Sequence, residues 1–139
     1  MACIQLDFKD IFPVIKHHIS LVERFEDKYH RDFSLIFIKS NKKQIKDIIQ
    51  MLTKILRNTD IIFINKKNIV IFSPGADWNA SFDIASGIKE FYNIENKESV
   101  ISTYPDNGEN ALKLLENFSV GIHKNYDITI NFLTNARSV

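Results

Sequence analysis

Apolar residues recur at three- and four-residue intervals through Ile15, Ile19, Val22, Phe25 and Tyr29, which predicts a helix over residues 11–29 with one apolar face. Pro13 falls in its first turn, where a missing N–H costs little. The spacing then changes. Phe33-Ser-Leu-Ile-Phe-Ile38 is almost continuously apolar, as expected of a strand buried on both faces. Ser40 or Asn41 is placed to cap a second helix, whose apolar stripe is Ile45, Ile48, Ile49, Leu52, Ile55 and Leu56. Two β-branched runs, Ile61–Ile64 and Ile69–Phe72, flank a polar turn and predict a hairpin that stops at Pro74-Gly75. A third helix is predicted over 77–92, with Trp78, Phe82, Ala85, Ile88 and Tyr92 on one face. Ser99–Thr103 reads as a short strand and Tyr104-Pro-Asp-Asn-Gly108 as a turn, because proline fixes one torsion and glycine permits the reversal. A helix over 110–124 and a last strand over 127–133 complete the pattern. The aromatics Trp78, Phe82, Phe91, Tyr92 and Phe118 are assigned to the core.

The order is strand–helix–strand–strand–helix–strand, then helix–strand, behind an N-terminal helix. This predicts an α+β fold: a ferredoxin-like split βαβ plan with an antiparallel central sheet and an extra C-terminal helix–strand. The first strand–helix–strand unit is expected to be a right-handed parallel crossover. Phe33–Ile38 and Ile69–Phe72 are the expected central strands, and their adjoining ends meet the hairpin turn.

Composition narrows the picture by exclusion. A chain of 139 residues suits one ordinary core. Net charge is +1, from 18 basic and 17 acidic residues, so no bulk attraction to nucleic acid or a membrane is expected. Charged residues interrupt every apolar run before it reaches bilayer length, and the N-terminus lacks the layout of a signal peptide. The single cysteine, Cys3, forms no internal disulfide and is expected near a mobile terminus. A soluble cytoplasmic protein is the expectation. His17 and His18 are adjacent and point to different helix faces, while His30 and His123 lack spaced partners, so no metal site is expected. No Gly-x-Gly-x-x-Gly or Walker-type loop occurs.

Three stretches, in this order and spacing, resemble the GGDEF diguanylate cyclase family: Arg31-Asp-Phe-Ser-Leu-Ile-Phe-Ile38; Leu56-Arg-Asn-Thr-Asp-Ile-Ile62 running through the hairpin to Ser73-Pro74; and Ser102-Thr-Tyr-Pro-Asp-Asn-Gly108 followed by Ala111-Leu-Lys-Leu-Leu115. The resemblance spans roughly residues 31 to 133 and implies an N-terminal helical segment, 1–30, ahead of a GGDEF-like domain, 31–139. It places the chain in bacterial signalling through cyclic di-GMP.

The departures from the family pattern bear on catalysis. Where the family's turn carries Gly-Gly-Asp/Glu-Glu-Phe, this chain carries Asn65-Lys66-Lys67-Asn68-Ile69. The resemblance assigns Mg²⁺ binding to positions that here hold Lys39 and Asn41, with hairpin carboxylates replaced by Lys67 and Asn68. The helix after the first strand is also short, and the family's lysine near the end of the last helix falls near Tyr126, with Lys124 close by. Joining nucleotides through phosphodiester bonds needs Mg²⁺ held by hard oxygen ligands. Ammonium groups repel that ion. The expectation is therefore a degenerate, non-enzymatic domain with no cofactor and no metal.

Three non-catalytic readings follow. The first is a regulatory or scaffolding module acting through protein contacts, with a protein partner or a second copy meeting the N-terminal helix at Ile15, Ile19, Val22 and Phe25; the alternative, equally open from the sequence, is that this stripe docks on the helix's own domain. The second is a cyclic di-GMP receptor. Arg57-Asn-Thr-Asp60 has the family's Arg-x-x-Asp form just before the hairpin, and arginine and aspartate can read phosphate and guanine edges. Against it, Arg57 suits a helix C-terminus and Asp60 a helix stop. The third is metal-free nucleotide or anion binding by Lys39, Lys42, Lys43, Lys66 and Lys67, with the alternative that these form a solvated sheet end.

Overall fold

The computed structural model describes residues 3–25, 32–92 and 99–133. Strand β1 (Ile4–Asp7) leads through a 3-10 turn, Phe8–Asp10, into α1 (Ile11–Phe25). There follow β2 (Phe33–Lys39), α2 (Ile45–Ile55), β3 (Ile61–Asn65), β4 (Asn68–Pro74), α3 (Trp78–Tyr92), β5 (Val100–Tyr104) and α4 (Ala111–Tyr126). The far end of the predicted first helix, Tyr29 included, lies outside the described residues, as does most of the Asn93–Ser99 connector.

The strands form one sheet in the order β1-β3-β4-β2-β5. β4 runs antiparallel to both β2 and β3, and β5 antiparallel to β2, which is the ferredoxin-like arrangement. β1 is an addition. It pairs parallel to β3 from Ile4↔Ile61 to Asp7↔Ile64. A four-residue stretch, Ile-Gln-Leu-Asp, carries too little alternation to stand out in a sequence.

Both faces of the sheet are covered, because successive strand residues point to opposite sides. Phe33, Leu35 and Phe37 of β2 face one cluster with Ile11, Ile15 and Ile19 of α1 and Leu114, Leu115, Phe118 and Ile122 of α4. Ile36 and Ile38 face the other, with Ile48 and Leu52 of α2 and Ala85 and Ile88 of α3. The small residues Ser81 and Ala85 are buried on α3. Trp78, Phe82 and Phe91, expected in the core, are exposed instead. Trp78 and Phe82, four positions apart, lie on one flank of the stripe Ser81, Ala85, Ile88 that meets the sheet, and Phe91 lies on the other flank. Ile55, at the end of α2, is also exposed.

The N-terminal helix docks on its own sheet. Ile15, Ile19 and Val22 are buried within the chain, which removes them from any helix-pairing surface, and only Phe25 of the four is exposed, at 68%. Cys3, expected at a mobile end, is buried beside Ile36 and Ile62, and this burial pushes its thiol pKa up. The predicted strand over 127–133 is absent. α4 ends at Asp127 in the left-handed region (φ 56°), and the segment beyond joins no ladder. Its alternation instead presses Ile128, Ile130 and Leu133 against the α1–α4 core, with Phe132 buried against the rings of Phe8 and Phe118. The Tyr104–Gly108 turn forms, but Gly108 serves close packing and not a left-handed reversal, since its φ is not positive. Asn107 Oδ1 accepts from the Thr103 N–H (2.8 Å), and a side chain at Gly108 would come within 2.4 Å of the Leu114 nitrogen. Among the described residues no helix is long and apolar enough to cross a membrane.

Candidate functional site

The predicted site residues fall at opposite ends of β4. At its start, Asn65 and Asn68 face each other in register, so the turn between them is Lys66-Lys67. Lys66 adopts φ 57°, a region that favours glycine over side chains with a Cβ. The hairpin is joined to the end of β2: Lys39 lies opposite Asn68, and the Ser40 N–H donates to the Lys67 carbonyl (2.9 Å). Lys39, Lys67 and Asn68 therefore do converge at one end of the sheet, with Asn41 just beyond.

Asn41 caps the turn that leads into α2, whose own N-cap position is Gln44 and has no side-chain cap. The Asn41 Oδ1 accepts from the N–H groups of Lys43 (3.0 Å) and Gln44 (2.8 Å), and its Nδ2 donates to Gln44 Oε1 (3.0 Å). That takes up backbone donors that an anion near Lys42 and Lys43 would use. It also occupies the one side-chain oxygen that Asn41 could offer a cation. The residues at this sheet end do not fit a divalent metal, since Lys39 and Lys67 bring positive charge and Asn41 and Asn68 bring none. Among the described residues no group of three or more His, Cys, Asp and Glu side chains could hold a metal ion.

Lys66 is turned to a different neighbourhood. It lines a cleft of about 390 Å³ with Asp7, Lys9, Asn65, Asn68 and Asn131, and Lys39, Lys42, Lys43 and Lys67 take no part in that lining. Of the five predicted lysines, Lys66 alone lines this cleft. The sequence reading missed this cleft because two of its walls, the end of β1 and the irregular segment after α4, were not legible as such.

At the other end of β4, Arg57 and Asp60 form a closed network. Asp60 is 2% exposed. Its Oδ2 accepts from the Arg57 backbone N–H (2.8 Å), and its Oδ1 accepts from Arg57 Nη2 (3.1 Å) and the Ser73 hydroxyl (3.1 Å). Arg57 Nη2 also lies 2.6 Å from the Pro74 carbonyl and 3.2 Å from Ser73 Oγ. The pair therefore ties the turn between α2 and β3 to the last residues of β4. The Gly75 N–H donates to the Asp32 carbonyl (2.8 Å), and the Ser34 hydroxyl donates to the Ala76 carbonyl (2.7 Å), which fastens the same loop to β2. The Arg57 side chain is still 57% exposed.

Two other features lie outside the sequence reading. Trp78 and Phe82 stack with ring centroids 5.0 Å apart while remaining 47% and 42% exposed. His18 sets its ring edge-on to Phe33 (5.2 Å) and Phe72 (5.1 Å), and loss of solvent there, then the charge of His17, lowers its pKa below the ordinary 6.5.

No protein-family model matches the chain, and no curated protein matches it in sequence. Solved structures do resemble it. The GGDEF domain of PA1120 (TpbB or YfiN) from Pseudomonas aeruginosa aligns with a TM-score of 0.55 at 12% identity, covering 86% of each chain. A sensory box/GGDEF family protein from Caulobacter crescentus aligns with a TM-score of 0.50 at 12% identity, covering 83% of this chain and 91% of the other. At such identity the likeness establishes a GGDEF-type fold and leaves the chemistry to be argued from the residues.

Proposed function

We propose that this chain is a non-catalytic regulatory module on a GGDEF-type fold, working through contacts with a protein partner. The observation that supports this reading is the composition of the sheet end where β2 meets the hairpin: Lys39 stands opposite Asn68, and Lys67 is bonded through its carbonyl to Ser40. A nucleotide-joining site on this fold would need carboxylate oxygens there to gather Mg²⁺ and phosphate, and the side chains present carry the opposite charge or none. The contact surface in this reading is the outer side of α3, where the Trp78–Phe82 stack is exposed, rather than α1, whose apolar stripe is already covered. Exposed aromatic pairs are common anchors of protein interfaces.

The test is incubation of the purified chain with GTP and either Mg²⁺ or Mn²⁺, followed by chromatography for a cyclic dinucleotide. The expected result is none. Steady product formation that disappears in Lys39→Glu or Asn68→Ala would overturn the reading.

A second reading, recognition of cyclic di-GMP through Arg57 and Asp60, is favoured by the exposure of the Arg57 side chain. It must displace bonds that Asp60 already makes within the protein. Calorimetric titration with cyclic di-GMP separates the two. Micromolar binding that vanishes in Arg57→Ala would establish a receptor, and absence of heat would leave Arg57 and Asp60 with a structural role alone.

A further inference from the structure

The cleft beside Lys66 offers chemistry that neither reading uses. It measures about 390 Å³, within the span of about 300–1,000 Å³ common for small-molecule sites. Segments far apart in sequence build it: the end of β1 and the turn after it, the hairpin, and the chain leaving α4. Phe8, Ile128 and Ile130 supply its apolar surfaces, and Phe8 is itself buried against Phe132.

The polar groups are of three kinds. Lys66 and Lys9 bring positive charge, and Asp7 brings one negative charge, so the lining carries an excess of one positive charge. Asn65 and Asn68 sit opposite each other across the hairpin and present two carboxamides, each able to donate and accept. The side chains of Asn65, Lys66 and Asn68 engage no hydrogen-bond or ion-pair partner among the described residues. Polar groups left open in a concave, partly apolar setting are what a small polar ligand would satisfy. Lys66 is moreover held at φ 57°, where a glycine would turn the chain with less strain.

We propose that this cleft binds a compact polar anion, a phosphate or carboxylate group carried on a hydroxylated skeleton. Lys66 faces the anionic oxygens, the Asn65 and Asn68 carboxamides donate to the flanking oxygens, and the Asp7 carboxylate, which only accepts, accepts a hydrogen bond from a hydroxyl. An acidic group without hydroxyls leaves Asp7 unanswered, and a neutral sugar leaves Lys66 unanswered. This site shares Asn68 with the β2–hairpin end but not Lys39 or Lys67, and does not depend on how the module meets a protein partner.

Titrating the full chain with ribose 5-phosphate, gluconate and uncharged ribose, followed by amide chemical shifts, tests the proposal. Saturable shifts at Lys9, Asn65–Asn68 and Thr129–Asn131 are expected with at least one of the two anions, and the tighter of these identifies phosphate or carboxylate as the recognised group. Ribose should give none. Lys66→Glu should weaken binding at least tenfold and the Asn65→Ala/Asn68→Ala pair should weaken it similarly, whereas Lys67→Glu should change it less than twofold. The same spectra report whether each variant is folded. Absence of saturable shifts with both anions, equal binding of ribose, or equal weakening by Lys67→Glu would overturn the proposal.

Discussion

The two ends of β4 are built on opposite terms. At Ser73-Pro74 the charged and polar groups are turned inward and bonded to one another, and Asp60 is sealed from solvent by Arg57 and Ser73. At Asn68 the polar groups project from a two-residue turn, and the side chains of Asn65, Lys66 and Asn68 have no bonds within the described protein. A motif reading attends to the first end, because Arg-x-x-Asp is a recognisable string. Geometry favours the second as a place to meet something else. A charged pair close in sequence is as well suited to closing a loop as to holding a ligand, and its burial and its partners decide which.

Stability measurements can break this contrast. Asp60→Ala should cost the most, about 2–3 kcal/mol in urea unfolding, because it leaves the Ser73 hydroxyl and the Arg57 N–H without their shared acceptor. A loss below about 0.5 kcal/mol would mean that the network contributes little and frees Asp60 for ligand duty. Arg57→Ala should cost about 1–1.5 kcal/mol, since Asp60 keeps the Arg57 backbone N–H and Ser73 while solvent reaches the vacated space.

The hairpin end should respond in the other direction or hardly at all. Lys66→Gly should raise stability by about 0.5–1 kcal/mol, because glycine adopts φ 57° without a Cβ penalty. An unfolding midpoint lower than that of the parent would show that the Lys66 side chain supports the turn. Lys39→Glu should move stability by no more than about 0.5 kcal/mol, as expected of a half-buried charge at a strand end outside any bonded network. A drop comparable to that of Asp60→Ala would erase the distinction between the two ends.

The regular elements were legible because their periods were unmistakable. The short, nearly continuous run Phe33–Ile38 fits a doubly covered strand and forms one, and the runs Ile61–Ile64 and Ile69–Phe72 pair in the expected hairpin. What escaped depends on what tertiary structure does with a weak pattern. The Ile4–Asp7 strand owes its existence to the open edge of β3. The alternation Ile128, Ile130, Phe132 records one side resting on a core, which a strand and an extended coil share. Trp78 and Phe82 obey helical spacing yet lie off the buried stripe, and periodicity alone does not say which of two offset stripes meets the sheet. The motif residues were correctly placed in the chain, but bonds to Ser73 and Pro74, more than ten positions away, were invisible until the loop was closed.

The register Ile4↔Ile61 joins residues 57 positions apart. Bringing such distant partners together is entropically slow compared with closing the β3–β4 hairpin, whose strands are separated by two residues. The edge strand should then be among the last parts to be secured during folding and among the first to loosen afterwards, with its amides exchanging hydrogen ahead of those in β2. Asp7 and Lys9, at the end of that strand and just after it, form one wall of the cleft. Whatever occupies that hollow would act as a latch on the edge strand, so the rate at which the N-terminal strand opens becomes a reading of occupancy.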